Sequence, residues 1–142
     1  MEPSTLFNIL IAILLIKFTI DSVLNHLNAK HFYDTIPNEV SDVYEINEYQ
    51  QSQSYKKTNH NFSKITSLFS LITTLLFFFF NGFSIVDDIA REFSNNTIVI
   101  TLIFFGIIII GSDIISIPFS LYKTFVIEEK FGFNKPLKKY FF

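Results

Sequence analysis

Cysteine and tryptophan are absent from this 142-residue sequence, glycine and proline occur four times each, and neither sign of charge dominates. Without cysteine there is no disulfide framework, no thiolate nucleophile and no thiolate metal ligand. With 11 basic and 13 acidic residues the net charge is −2, which excludes the strongly basic surface of a nucleic-acid binder. No phosphate-binding glycine loop or nucleophile elbow occurs. A zinc peptidase helix needs two histidines at i and i+4 with a glutamate between them, so that both imidazoles converge on one ion. The only histidines are His26, His31 and His60. His26 and His31 stand about 140° apart on a helix of 3.6 residues per turn, with no glutamate between them. The chain therefore lacks the groups to do chemistry on its own, and no catalytic residue, metal ligand or cofactor is expected in it.

Apolar residues supply 49% of the chain, 19 of them phenylalanine, and mean hydropathy is +0.38. A soluble domain of this size has too little interior to hide such runs. A bilayer core of about 30 Å accepts them as helices of about 20 residues. Within lipid the backbone must satisfy its own hydrogen bonds, so each span is a helix and the fold class is an all-α, multi-span membrane bundle. Three spans are expected, at about 6–27, 65–86 and 97–117, joined by a loop over about 28–64 and followed by a tail over 118–142. The second span carries no charge and the third only Asp113. The first carries Lys17 and Asp21, spaced to meet on one helix face. Two readings fit that pair: Lys17 snorkels to the headgroups with Asp21 at the water boundary, or the two form a specific buried pair. No positive leader region or small-residue cleavage site marks the N-terminus, so a retained anchor helix is expected rather than a signal peptide.

Basic residues number 0 before the first span, 4 in the first loop, 1 in the second and 5 in the tail. That alternation places the N-terminus outside and both lysine-bearing segments in the cytoplasm. Abundant Phe, Ile, Asn and Lys is what AT-rich codons produce, and points to a bacterial inner (plasma) membrane.

In the first loop Pro37 breaks any preceding helix, Asn38 or Ser41 can cap a new one, and Val40, Val43, Tyr44 and Ile46 suit a short amphipathic helix. Ile85, Ile89 and Phe93 recur every four residues in the second loop, as in a half-buried helix at the outer surface. Asn95-Asn96-Thr97 is a formal glycosylation sequon, meaningful only in a eukaryotic secretory compartment. Asp113 is an acid within a span and so a candidate functional residue: it faces a water-filled cavity, caps a neighbour, or pairs structurally. Pro118 ends or kinks the third span. Glu128 and Glu129 are adjacent, point different ways, and suit hydrogen bonding and ion pairing better than paired acid–base work. Gly132 between two phenylalanines implies a tight turn or close backbone approach. Gly106 and Gly111 suit helix contacts.

The tail run Pro118-Phe-Ser-Leu-Tyr-Lys-Thr-Phe-Val-Ile-Glu-Glu-Lys-Phe-Gly-Phe-Asn-Lys135 resembles a stretch of the integral-membrane zinc endopeptidases that process prenylated CAAX proteins, and the first loop is similar in Pro37, Tyr44, Tyr49, Ser52, Tyr55 and Phe62. The likeness covers nearly the whole chain, but only the N-terminal membrane domain of that family. It implies that the chain forms part of the wall and substrate access of a water-filled membrane chamber leading to a zinc site carried elsewhere. It makes Tyr122, Phe125, Glu128, Glu129, Gly132, Phe133 and Asn134, beside Asp113, candidates for lining or bracing that chamber. The partners it implies are the lipid bilayer, a C-terminal catalytic portion on the same or a separate chain, and a peptide or prenylated-protein substrate. Pro136 departs from the family, where a small hydroxyl residue is more frequent, which bears on the start of the following helix. The alternative reading is a standalone, non-enzymatic membrane scaffold or partner subunit.

Overall fold

The structure is a computed structural model that describes residues 3–30 and 46–133. The short helix expected around Val40–Tyr44 and the candidate Asn134 lie outside the described residues, as do His31 and Pro136. Among the described residues every element is helical: α1 Pro3–Ala29, α2 Ile46–Phe79, α3 Gly82–Phe93 and α4 Thr97–Tyr122, which runs on into a π-helical segment Lys123–Glu128. Three of these helices are long and apolar enough to cross a membrane, Ser4–Ala29, Asn47–Phe79 and Thr97–Glu128.

Helix ends and hydropathic runs do not coincide. α2 begins at Ile46, well ahead of the apolar run at 65, because 46–64 holds no proline or glycine to stop it. Its 34 residues span roughly 51 Å at 1.5 Å per residue, well beyond a hydrocarbon core. It stops at Phe79 rather than at Val86. Asn81 takes a left-handed conformation (φ 54°), a backbone state asparagine tolerates and helices use to terminate. Its carbonyl then accepts from Ile85 N–H at 3.1 Å and so opens α3. α4 starts at a side-chain cap, Asn96 Oδ1 accepting from Ile98 N–H at 2.9 Å, while Asn96 N–H donates to Ser94 Oγ at 3.1 Å. A cap of this kind contributes about 1 kcal/mol. Pro118 sits inside α4 without ending it. In a membrane an interrupted helix would strand backbone groups without water, which favours continuation. The looser hydrogen bonding shows one turn later, where Lys123 N–H reaches the carbonyls of both Phe119 and Ser120 and the π-helical segment begins.

Aromatic contacts hold the bundle. Phe7 of α1 packs edge-on against Phe78 and Phe79 of α2, with ring centroids 6.0 and 5.8 Å apart. Phe83 of α3 packs against Phe77 and Phe78 and stacks at 6.5 Å on Phe104 of α4. Lower on the same pair of helices, Phe119 lies 4.8 Å from Phe69, and Tyr122 stacks at 5.4 Å on Phe62. Among the described residues few apolar side chains are buried: Val86, Ala90, Ile127 and Phe131. Water-driven burial therefore cannot be the main cohesion. Lipid solvates the outward-facing Leu, Ile and Phe, and packing contacts hold the helices to one another.

Candidate functional site

α1, α2 and α4, capped by α3, enclose an open cavity of about 980 Å³. Its charged groups are gathered toward one end. Toward the C-terminal end of α2 the lining is mostly apolar, with Leu14, Phe77, Phe83, Val86 and Ile108 beside Thr73 and Thr74. Toward the other end Lys17, Asp21, Asn25, Lys64, Ser67, Ser112 and Ser116 bring polar groups onto it. Lys17 Nζ donates to Asp21 Oδ2 at 2.9 Å, and the two side chains are 73% and 53% exposed, so the pair is formed but opens on the cavity rather than being buried. Lys17 lies ten residues along α1 from Phe7, hence about 15 Å down the helix axis from the aromatic contact with the end of α2. An ion pair exposed within a membrane-length helix needs water or another polar group in front of it. Lys17, Asp21 and Lys64 were not among the candidate site residues; the i, i+4 spacing gave the pair, but only the packing of α1 on α2 turns it toward a cavity.

Asp113 does not join this lining. Gly111, Ser112, Ile115 and Ser116 of α4 do, and Asp113 falls on another side of the helix, where it is exposed. Its carbonyl accepts from the Ser116 hydroxyl at 2.9 Å. Gly106 and Gly111 have open space where a Cβ would stand, so within the described chain neither marks a close helix contact.

The remaining candidates gather where the tail meets the N-terminal half of α2. The segment ends in a Schellman turn: Phe133 N–H donates to the Glu128 carbonyl at 3.0 Å and Gly132 N–H to the Glu129 carbonyl at 3.1 Å. Gly132 occupies the left-handed position this requires, with φ +77°. The turn directs Phe131 and Phe133 onto Tyr55, with ring centroids at 5.4 and 4.6 Å. Gln51 Nε2 donates to the Phe131 carbonyl at 3.0 Å, fixing the same turn from α2. Lys130 Nζ lies 5.6 Å from the Phe131 ring centroid. Glu128 is half-buried and Glu129 exposed, so the two carboxyls sit in different surroundings. Tyr122 braces Phe62, while Phe125 is exposed on the π-helical segment. Of the expected residues, Glu128, Glu129, Gly132 and Phe133 thus belong to one clasp, while Tyr122 packs on α2 separately at Phe62. Its anchors, Gln51, Tyr55, Ile127 and Phe131, were not among the candidates. Ile127 and Phe131 were legible only as apolar residues flanking the acidic pair.

Among the described residues no three His, Asp or Glu side chains come together as a metal-binding group. The described residues do not fit a zinc ion.

These features define a class: a polytopic helical membrane protein whose spans wall a graded, partly polar cavity. Residues 24–142 match the family described as CAAX prenyl protease N-terminal, five membrane helices. The chain belongs to the CAAX prenyl protease family, to its N-terminal membrane domain. It is 38% identical over 106 residues to a probable CAAX prenyl protease 1 of Schizosaccharomyces pombe, covering 66% of this chain and 22% of that protein. It is 30% identical over 111 residues to a CAAX prenyl protease 1 homolog of Dictyostelium discoideum, covering 75% of this chain and 26% of that one. The crystal structure of S. mikatae Ste24p superposes with a TM-score of 0.81 at 26% identity, over 93% of this chain and 32% of that chain. The chain thus spans about a quarter of the curated relatives it matches. Enzymes of this family are zinc proteases. The relatives named here are eukaryotic, so the bacterial source suggested by composition draws no support from them.

Proposed function

We propose that this chain is the N-terminal membrane portion of a zinc metalloendopeptidase of the prenyl-protein-processing type, supplying wall and substrate access rather than the catalytic metal. The observation that carries this reading is the Lys17–Asp21 pair, lying within a membrane-length helix and opening on a cavity that holds its charges at one end and is mostly apolar at the other. Such a gradient suits a substrate that is lipid-like at one end and peptide at the other, and a pair so placed implies a hydrated interior. The clasp around Tyr55 braces the tail against α2 and so sets the direction in which the chain leaves the cavity. The partner in catalysis is a C-terminal portion, on the same or a separate chain.

The test is a chimera in which this chain replaces the corresponding N-terminal region of a full-length relative. Cleavage of a prenylated peptide is expected to be restored, while an unrelated three-span segment restores none. Lys17→Ala combined with Asp21→Ala is expected to lower kcat/KM several-fold with zinc content unchanged. A chimera that folds and holds zinc yet cleaves nothing would sink the reading, and would favour a scaffold.

Orientation belongs to the same proposal, with the N-terminus outside and the first loop and tail in the cytoplasm, on the lysine distribution. Because the chain has no cysteine, single-cysteine variants report topology cleanly. Ser52→Cys and Lys130→Cys are expected to react with impermeant maleimide only from the cytoplasmic side, and Arg91→Cys only from outside. Labelling of positions 52 and 130 from opposite faces refutes the arrangement.

A further inference from the structure

α3 carries three distinct edges, and only two of them are accounted for. Gly82, Val86 and Ala90 form one edge and are buried, Ala90 completely. A second edge is charged: Arg91 Nε donates to Asp87 Oδ2 at 2.7 Å, both side chains exposed, with Asp88 and Glu92 nearby along the helix. The hydrogen bond to Asp87, with the charge of that carboxylate, holds the Arg91 guanidinium above its ordinary range. The third edge is Ile85, Ile89 and Phe93, recurring every fourth residue and exposed at 52%, 37% and 73%.

We propose that this third edge is a membrane-interface anchor, seated at the headgroup–acyl boundary of electrically neutral phospholipid. The placement follows from chain order. α3 begins three residues after one membrane-length helix ends and finishes four residues before the next begins, so it lies at the level where the bilayer stops. Phe79 and Phe80, just before it, and Ile98, just after it, are exposed by 62%, 71% and 71%, so the apolar edge continues the surface that the spans present to lipid. A helix with one apolar edge in the boundary and a charged edge in water rests in the interface plane. The headgroup preference follows from charge: three acidic residues against one basic residue give α3 a net charge of −2, so anionic headgroups repel it. Phe83 and Val86 also line the cavity, so the anchored helix holds the cavity's cap at a fixed depth. This inference is independent of the peptidase reading.

The experiment uses the full chain in phosphatidylcholine nanodiscs, with an environment-sensitive fluorophore on single cysteines. The variants are Ile85→Cys, Ile89→Cys and Phe93→Cys on the apolar edge, and Asp88→Cys and Arg91→Cys on the charged edge. Quenching by a lipid spin-labelled near the headgroup, relative to a water-soluble quencher, is expected to be several-fold higher at 85, 89 and 93 than at 88 and 91. Equal aqueous quenching at all five positions overturns the proposal. Protection of 85, 89 and 93 from both quenchers also overturns it, since that edge is then covered by protein, whether a second copy or another helix. Exchanging part of the phosphatidylcholine for phosphatidylglycerol is expected not to deepen the three apolar-edge positions; a deepening overturns the preference for neutral lipid.

Discussion

Gly82→Ala is expected to cost about 1–3 kcal/mol, the range for overpacking a filled site, although it adds a single methyl group. A Cβ at Gly82 would overlap Cδ2 and Cε2 of the Phe77 ring and stand 2.7 Å from its Cγ. The obstruction includes the base of the ring, so a small swing of the ring edge does not relieve it. Moving Phe77 also disturbs Phe83, whose ring is 4.8 Å away and which in turn stacks on Phe104. The clash therefore spreads from the α2–α3 corner into the cavity cap. A lower thermal midpoint of the purified chain in detergent checks this, with partial recovery when Phe77→Leu is added. An unchanged midpoint for Gly82→Ala would show that the corner is not packed as described.

Tyr55→Ala is expected to release the tail clasp. Two ring pairs are lost, each contributing about 0.5–1.5 kcal/mol beyond area burial, so the local cost is roughly 1–3 kcal/mol. Backbone amides of 127–133 are expected to exchange faster with solvent deuterium, while those of α3 stay as they were. Tyr55→Phe keeps both ring pairs and is expected to behave as the parent chain. If Tyr55→Ala leaves exchange in 127–133 unaltered, the clasp is not what orders the segment.

The three membrane-length helices were legible in the sequence because long apolar composition is a one-dimensional property. Where the helices stop was less so. The true end of α2 was signalled by Asn81-Gly82, a turn-forming dipeptide, but the apolar residues Phe83, Ile85 and Val86 beyond it masked the break. Those residues belong to a different helix, packed on α4, and only the three-dimensional arrangement separates the two. The early start of α2 is similar: nothing in 46–64 forbids helix, yet its polarity resembled a loop. Pro118 was readable as ending or kinking the span; it does not end α4, because the rule that proline stops helices assumes water to receive the freed backbone groups.

The candidate site divides along the same line. Gly132 was readable as a turn from its flanking aromatics, and the local Schellman bonds bear that out. Gln51 and Tyr55 were not readable as its partners, since the hydrogen bond from Gln51 to Phe131 joins residues 80 apart in sequence. Asp113 drew attention for its chemistry alone, while its side of α4 is set by helical phase against neighbours that sequence does not name.

α2 and α4 are linked near both extremities, through Phe83 of α3 lying between Phe77 and Phe104 at one end, and through Tyr122 on Phe62 and the tail's Phe131 on Tyr55 at the other. Links at both ends oppose sliding of one rod past the other when the surrounding bilayer thins or thickens. Leaning more steeply or standing more upright is then the easier response, at fractions of a kcal/mol per Å of mismatch. Membrane thickness thereby acts first on the lean of the wall.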